Sequence, residues 1–264
     1  MSSPAGLLAP ALALAFLCAA AGPLRAQTDY YNLDAGRPLR VEDALVIERH
    51  AIEWQVAPLR LTGARGTRAV LGAEPELAWG IFPRTQVELG VPLLYPRGGA
   101  LGAAGVELTA LHALNAETTG WPGLAVRVGV HAPAGPYGPT STRTEFAALA
   151  TRTLTHGRLH ANVAVYGGDA AGDPDAARWS AGLAADHAFV LQSFLLGAEI
   201  VAEDPAFAGA DVRWSTAVGL RVQVDPRTAL DFGVGRDLGE AQGWFITMGS
   251  ARSFGLLHRL GGVR

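Results

Sequence analysis

The residues of this chain that could do chemistry are charged side chains set at alternate positions in otherwise apolar stretches. Glu74 and Glu76, Glu88, Glu107, Arg127 and His131, His160, Arg213 and Arg221, and Asp231 all sit in the polar phase of a two-residue repeat, and Glu53, Asp186, Glu199 and Arg236 are read with them. A two-residue spacing puts such side chains on one face of a strand. There they could pair with one another, or line water and impose a field on a passing solute. The acidic members fall early and the arginines later. In a closed barrel that order gives either a transverse field between opposite walls or a structural network of ion pairs.

Other chemistries find less support. Seven histidines and many Ser and Asp residues raise the question of a hydrolase. There is no G-x-S-x-G nucleophile motif, and His160 with Asn162 on one strand face is a common accident of composition, so no enzyme is expected. The loop GDAAGDPDA (168–176) carries Asp169, Asp173 and Asp175. Its spacing does not match an EF-hand and lacks the closing Glu, so it reads as a solvated acidic loop. No His/Cys cluster has zinc spacing and no glycine loop follows a strand and opens a helix, so neither metal nor cofactor is expected. Net charge is −3, which leaves no basic footprint for nucleic acid.

The elements that must position these side chains are strands. In 70–81 the residues Leu71, Ala73, Pro75, Leu77, Trp79 and Ile81 alternate with Gly72, Glu74, Glu76, Ala78 and Gly80. The same alternation runs through 85–95, 124–132 and 212–224, and more weakly through 46–61, 104–115, 144–154, 159–166, 178–190, 192–202, 228–236 and 243–253, twelve segments in all. No helix keeps that register. In 46–61 the apolar phase switches from Ile52, Trp54 and Val56 to Leu59 and Leu61 across Pro58, which predicts a bulge or bend. Several runs reach the length that a tilted membrane-spanning strand needs, and the polar phase is rich in the small residues Gly, Ala and Ser that fit a crowded lumen.

Composition agrees: hydrophobic residues make up 49% and charged residues 17%, with 33 Gly and 16 Pro, too apolar for disorder and too punctuated for a helical bundle. Connections alternate in length. Short turns such as PRT (83–85), HGR (156–158) and DPRT (225–228) follow even-numbered segments. Glycine- and proline-rich loops such as PRGGALG (96–102) and PAGPYGPTST (133–142) follow odd-numbered ones. Short periplasmic turns and long extracellular loops on an even number of strands are expected of a bacterial barrel.

Before the strands lies an apolar run, residues 5–22, then small residues and a polar segment from Gln27. Residues 1–26 read as a cleaved signal peptide, with Ala21 as an alternative end, and residues 27–44 as a periplasmic leader. Cys18, the only cysteine, falls in the signal, so no disulfide is expected in the mature chain. The barrel is expected over 45–254. The last segment ends on the aromatic Phe254, and residues 255–264 read as a C-terminal extension.

The stretches RPLRVEDALVIERHAIEWQVAPLRL (37–61), GAEPELAWGIFPRTQVELGVPLLYP (72–96) and LNAETTGWPGLAVRVGVHAPAG (114–135) resemble the outer-membrane transporters grouped as the "meta-pathway of phenol degradation" family. That resemblance implies an outer-membrane barrel of Gram-negative type and a transport role, and transfers no site residues. The expectation is an all-β, up-and-down, twelve-stranded transmembrane barrel. It would act as a porin-like passive channel or transporter for small, apolar or aromatic molecules, with outer-membrane lipid, the barrel assembly machinery and a small solute as partners. The alternative is a closed structural or adhesive barrel without transport.

Overall fold

The computed structural model describes residues 32–67, 69–168, 177–189, 193–204, 211–239 and 243–255. The signal segment, most of the acidic loop with Asp169, Asp173 and Asp175, and the extension from 256 onward lie outside the described residues. The remainder is one antiparallel sheet that closes on itself as a twelve-stranded barrel. We number the strands β1 (Ala51–Gly63), β2 (Val70–Ala73 and Glu76–Phe82), β3 (Thr85–Gly90 and Leu93–Pro96), β4 (Gly102–Ala103 and Val106–Asn115), β5 (Gly123–Ala132), β6 (Arg143–Leu154), β7 (Gly157–Gly167), β8 (Arg178–Phe189), β9 (Phe194–Glu203), β10 (Arg213–Asp225), β11 (Thr228–Asp237) and β12 (Trp244–Gly255). Each pairs with its sequence neighbours. β12 pairs with β1 from Ala51↔Gly255 to Gly63↔Trp244, so no edge is left unpaired.

The alternation sorts the side chains as the sequence predicts. Val128, Val130, Phe146, Val163, Val165, Leu183, Ile200, Val218, Val234 and Ile246 stand on the outer surface, exposed, while the residues between them face in. Four of the six tryptophans bound this apolar band on the strands' outer ends: Trp54 and Trp79 near the rim with the short turns, Trp214 and Trp244 near the rim with the long loops. Trp121 stands in the 116–122 connection at the short-turn rim, and Trp179 at the opposite rim, so three fall on each side. Such girdles flank the lipid-facing band of membrane barrels.

The structure departs from the sequence reading at one level of the wall. The alternation runs through Pro75 and Pro92 without a break, yet the ladder does not. β1 shifts register between Val56 and Leu59, β2 is interrupted at Glu74 and Pro75, β3 at Val91 and Pro92, and β4 at Ala104 and Gly105. These interruptions are neighbours across the sheet. Glu76 pairs with Gly90 and Gly90 with Glu107 on one side of the row; Ala73 pairs with Leu93 and Leu93 with Ala103 on the other. Proline has no N–H to give a ladder, so three prolines at adjacent strand positions leave a seam. Two hydrogen bonds cross it, Val91 N to Pro75 O at 3.1 Å and Ala104 N to Pro92 O at 2.7 Å.

A ladder closed on itself resists unfolding until its hydrogen bonds are lost together. The folded protein in detergent is therefore expected to migrate as a distinct compact species on gels until it is boiled. Identical migration before and after boiling is the outcome inconsistent with closure.

Candidate functional site: a strapped lumen

The segment read as a periplasmic leader is, over its described part, inside the barrel. Residues 32–50 form a strap across the lumen, and Leu33, Leu39 and Val41 are among the most buried of the described residues. They pack on Ala184, Leu195, Val201, Ala217 and Phe245, while Ala44 joins Leu111, Ala125, Ala147, Leu149 and Ala164. The leader was not legible as a strap because it has no periodicity: its apolar residues serve a surface that exists only once the strands have closed. At its start a tight turn, with Gly36 at φ 82, carries a hydrogen bond from Arg37 N to Asp34 O.

Glycines make the room. Gly197 pairs directly with Gly219, and Gly219 with Gly233, so β9, β10 and β11 share a trough free of side chains. A Cβ at Gly219 would lie 2.7 Å from Pro38, one at Gly197 2.9 Å from Leu39, and one at Gly182 on β8 2.6 Å from Val41. The small residues noted in the polar phase thus leave space for the strap.

The wall holds the strap largely by its main chain. Arg40 N and Val41 N both donate to Glu199 Oε2 at 2.8 Å, Glu42 N to Asn162 Oδ1 at 2.7 Å, Ala44 N to Thr151 Oγ1 at 2.8 Å and Ile47 N to Gln86 Oε1 at 2.8 Å. An extended strap with no ladder partner would otherwise bury unsatisfied amides.

Ion pairs finish the attachment. Arg37, with no exposed surface, lies 2.7 Å from Asp34, 3.5 Å from Glu53 and 3.5 Å from Asp231. Arg221 donates to Asp231 at 2.7 Å and to Asp34 at 3.0 Å, and also binds the carbonyl of Asn32. Burial alone would raise the Asp34 carboxyl, but Arg37 and Arg221 together hold it below its ordinary value. Arg127 joins Glu42 of the strap to Glu145 of β6, Arg158 lies 3.3 Å from Asp43 and 2.6 Å from Asp186, and Arg40 reaches Glu203. Burial pushes the Asp43 carboxyl up to about 6 against the pull of Arg158.

Of the ten residues expected to line the lumen, Arg213 is exposed at the long-loop rim, and the others alternate with outward side chains along their strands. Arg127 and Arg221 bind the strap directly. His160 lies between Thr151, at 3.0 Å, and Asp186, at 3.1 Å, and Asp231 holds both Arg221 and Arg37. Glu107 meets His131 at 3.1 Å, Arg213 pairs with Glu203 at the long-loop rim, and Glu74, Glu76 and Glu88 line β2 and β3. Arg236 is a correction: it lies five residues from the inward Asp231, so it takes the outward phase and is exposed beside Trp244. Sequence reasoning missed Asp34, Arg37, Arg40, Glu42 and Asp43 on the strap, and Thr151 and Gln86 on the wall. The density of charge in GRPLRVEDA was the available signal.

Thr151, His160 and Asp186 form a hydroxyl–imidazole–carboxylate line, but Thr151 Oγ1 already accepts Ala44 N. Its position under the strap makes it part of the strap's seat. Beside Arg40, toward the long-loop rim, a cavity of about 300 Å³ is lined by Arg40, Glu107, His131, Arg143, Tyr166 and Arg178, among others.

No family model matches the chain, and no curated protein matches it. Solved structures do. The COG4313 outer membrane channel from Pseudomonas putida F1 superposes with a TM-score of 0.55 at 15% identity, over 80% of this chain and 98% of that one. The NanC porin gives 0.56 at 8% identity, over 75% and 98%. The KdgM porin in complex with disordered oligogalacturonate gives 0.51 at 12% identity, over 77% and 99%. At these identities the likeness shows the fold, that of outer-membrane channel barrels. It does not show the meta-pathway family.

Proposed function

We propose that the chain is an outer-membrane channel for small solutes that rests with its lumen crossed by its own strap. Residues 1–26 would direct export and be removed, the assembly machinery would insert the barrel, and the apolar band between the tryptophan girdles would face lipid. The observation that carries this reading is how the interior is tied together. Each wall-to-wall ion pair described above joins neighbouring strands, as Arg127–Glu145, Arg158–Asp186 and Arg221–Asp231 do. Among the ion pairs described above, those that reach beyond a neighbouring strand run through the strap, a segment outside the ladder. A barrel closed for structural ends would be interlocked across its own walls. The extent of the strap's attachment is what favours that alternative, and the two readings part in one experiment.

A Val side chain at Gly219 would strike Pro38 and Leu39 of the strap. Overpacking of this kind costs about 1–3 kcal/mol, roughly five- to more than a hundredfold in the seating equilibrium. In planar bilayers the wild-type protein is expected to show small conductance and Gly219→Val a severalfold larger one. If both proteins insert and neither conducts, the closed barrel is the better account. The solutes expected from the resemblance, apolar or aromatic, draw no support from the lumen side chains named above, most of which are charged.

A further inference from the structure

Resting on the channel reading, we infer that the part of the lumen left free by the strap selects cationic solutes of the ammonium type along the inner face of β2, β3 and β4. Four carboxylates stand on that face: Glu74 and Glu76 on the β2 segment and its break, Glu88 on β3 and Glu107 on β4. Cross-strand register brings them together, since Glu76 pairs with Gly90, Gly90 with Glu107 and Ala78 with Glu88. None of the strap's hydrogen bonds or ion pairs described above reaches any of them.

Six arginines elsewhere in the lumen are paired with carboxylates, and Glu74, Glu76, Glu88 and Glu107 are not among their partners. Arg37, Arg40, Arg127, Arg158, Arg213 and Arg221 each have a carboxylate partner. Among the described residues no ion pair is made by Glu74, Glu76 or Glu88. Glu88 accepts only neutral donors, Gln86 Nε2 at 2.8 Å and Thr109 Oγ1 at 2.9 Å, and Glu107 has His131 alone. Arg60 of β1 is within Coulomb reach of Glu74, and its guanidinium lies 4.5 Å over the Phe245 ring. Arg37 and Arg127 also act on this face from a distance, already paired elsewhere.

A second observation is independent of the carboxylates. Gln55 of β1 lies opposite Glu76 in the ladder, is fully buried in the inward phase, and gives its Nε2 to Glu53 at 3.1 Å. Among the described residues its Oε1 has no hydrogen-bond donor. The face therefore offers more acceptors, charged and neutral, than donors. A small cation carrying N–H groups supplies both positive charge and donors, whereas an anion supplies neither.

Reversal potentials measured under a salt gradient across planar bilayers test this in the full mature chain, as wild type and as Gly219→Val. Cations are expected to permeate severalfold faster than chloride in both KCl and ethylammonium chloride. The double variant Glu76→Gln, Glu88→Gln, built in each background, is expected to lower that ratio severalfold toward unity. A ratio at or below unity in the parent proteins overturns the inference, and so does a ratio that the double variant leaves unchanged. The parent measurement decides even if the double variant does not assemble. Conductance without cation preference removes this inference alone; no conductance in any inserted protein removes the channel reading with it.

Discussion

Arg221→Gln is expected to release the strap from the lumen while the barrel still closes. The guanidinium is buried between Asp231 on the next strand and Asp34 of the strap, and it also binds the strap carbonyl of Asn32. Glutamine removes the charge and leaves Asp34, Asp231 and Glu53 to share Arg37. Breaking a buried ion pair by removing one partner costs roughly 3–5 kcal/mol, which is about two to four orders of magnitude in an equilibrium constant. That cost falls on the strap. The β10–β11 ladder through Arg221↔Asp231 is made by backbone and survives, whereas the strap has no ladder of its own. Limited trypsin digestion of the folded protein reports the change: cleavage after Arg40 should be slow in the wild type and fast in the variant, with the boiling-dependent gel shift retained in both. Equal protection of the Arg40–Val41 bond in both proteins is the outcome that contradicts the assigned role.

Val218→Arg, three residues away on the same strand, is expected to fail in the opposite way, by blocking assembly. Val218 is outward and 52% exposed, and it stands mid-strand between the outward Ala198 and Val234. If that face meets lipid, an arginine near the midplane costs about 2–4 kcal/mol, a large part of the roughly 5–15 kcal/mol that holds a folded protein together. Arg236 shows why position decides: it is outward too, but at the rim beside Trp244, where a long cationic side chain reaches water. Refolding into liposomes, followed by the gel shift, compares the assembled fractions. Wild-type yield for Val218→Arg would mean that the outer face does not meet lipid, and a soluble barrel would then be the better account.

The two substitutions show which parts of the molecule were legible in its sequence. The phase of Val218 against Arg221 was, because a period of two is a local property of the chain. The bulge at Pro58 was legible as a phase switch. Pro75 and Pro92 were not, because the alternation continues across them; only the neighbouring strands reveal that their missing N–H groups fall in a row. Nor was the strap. Leu33, Leu39 and Val41 show no strand or helix period, and their burial depends on Gly197, Gly219 and Gly233 coming into register from three strands. The acceptor face is the least legible of all, since Glu76 and Gln55 come together only when β1 and β2 pair.

The seam across β1 to β4 has a mechanical consequence. A cylinder with continuous hydrogen-bonded strands keeps a round cross-section, because flattening it anywhere shears every ladder around the circumference. Here four consecutive strands lose their ladder at one level, and the wall between Gly90 and Leu93 hangs on the two bonds at Val91 and Ala104. Compliance is therefore concentrated in one third of the circumference. The seam lies at Glu74 and Pro75, directly beside the acceptor face, and away from the β9–β11 trough that seats the strap. Any bowing of this barrel is thus expected in the arc that carries Glu74, Glu76 and Glu88, while the β9–β11 arc that seats Pro38 and Leu39 keeps its ladder.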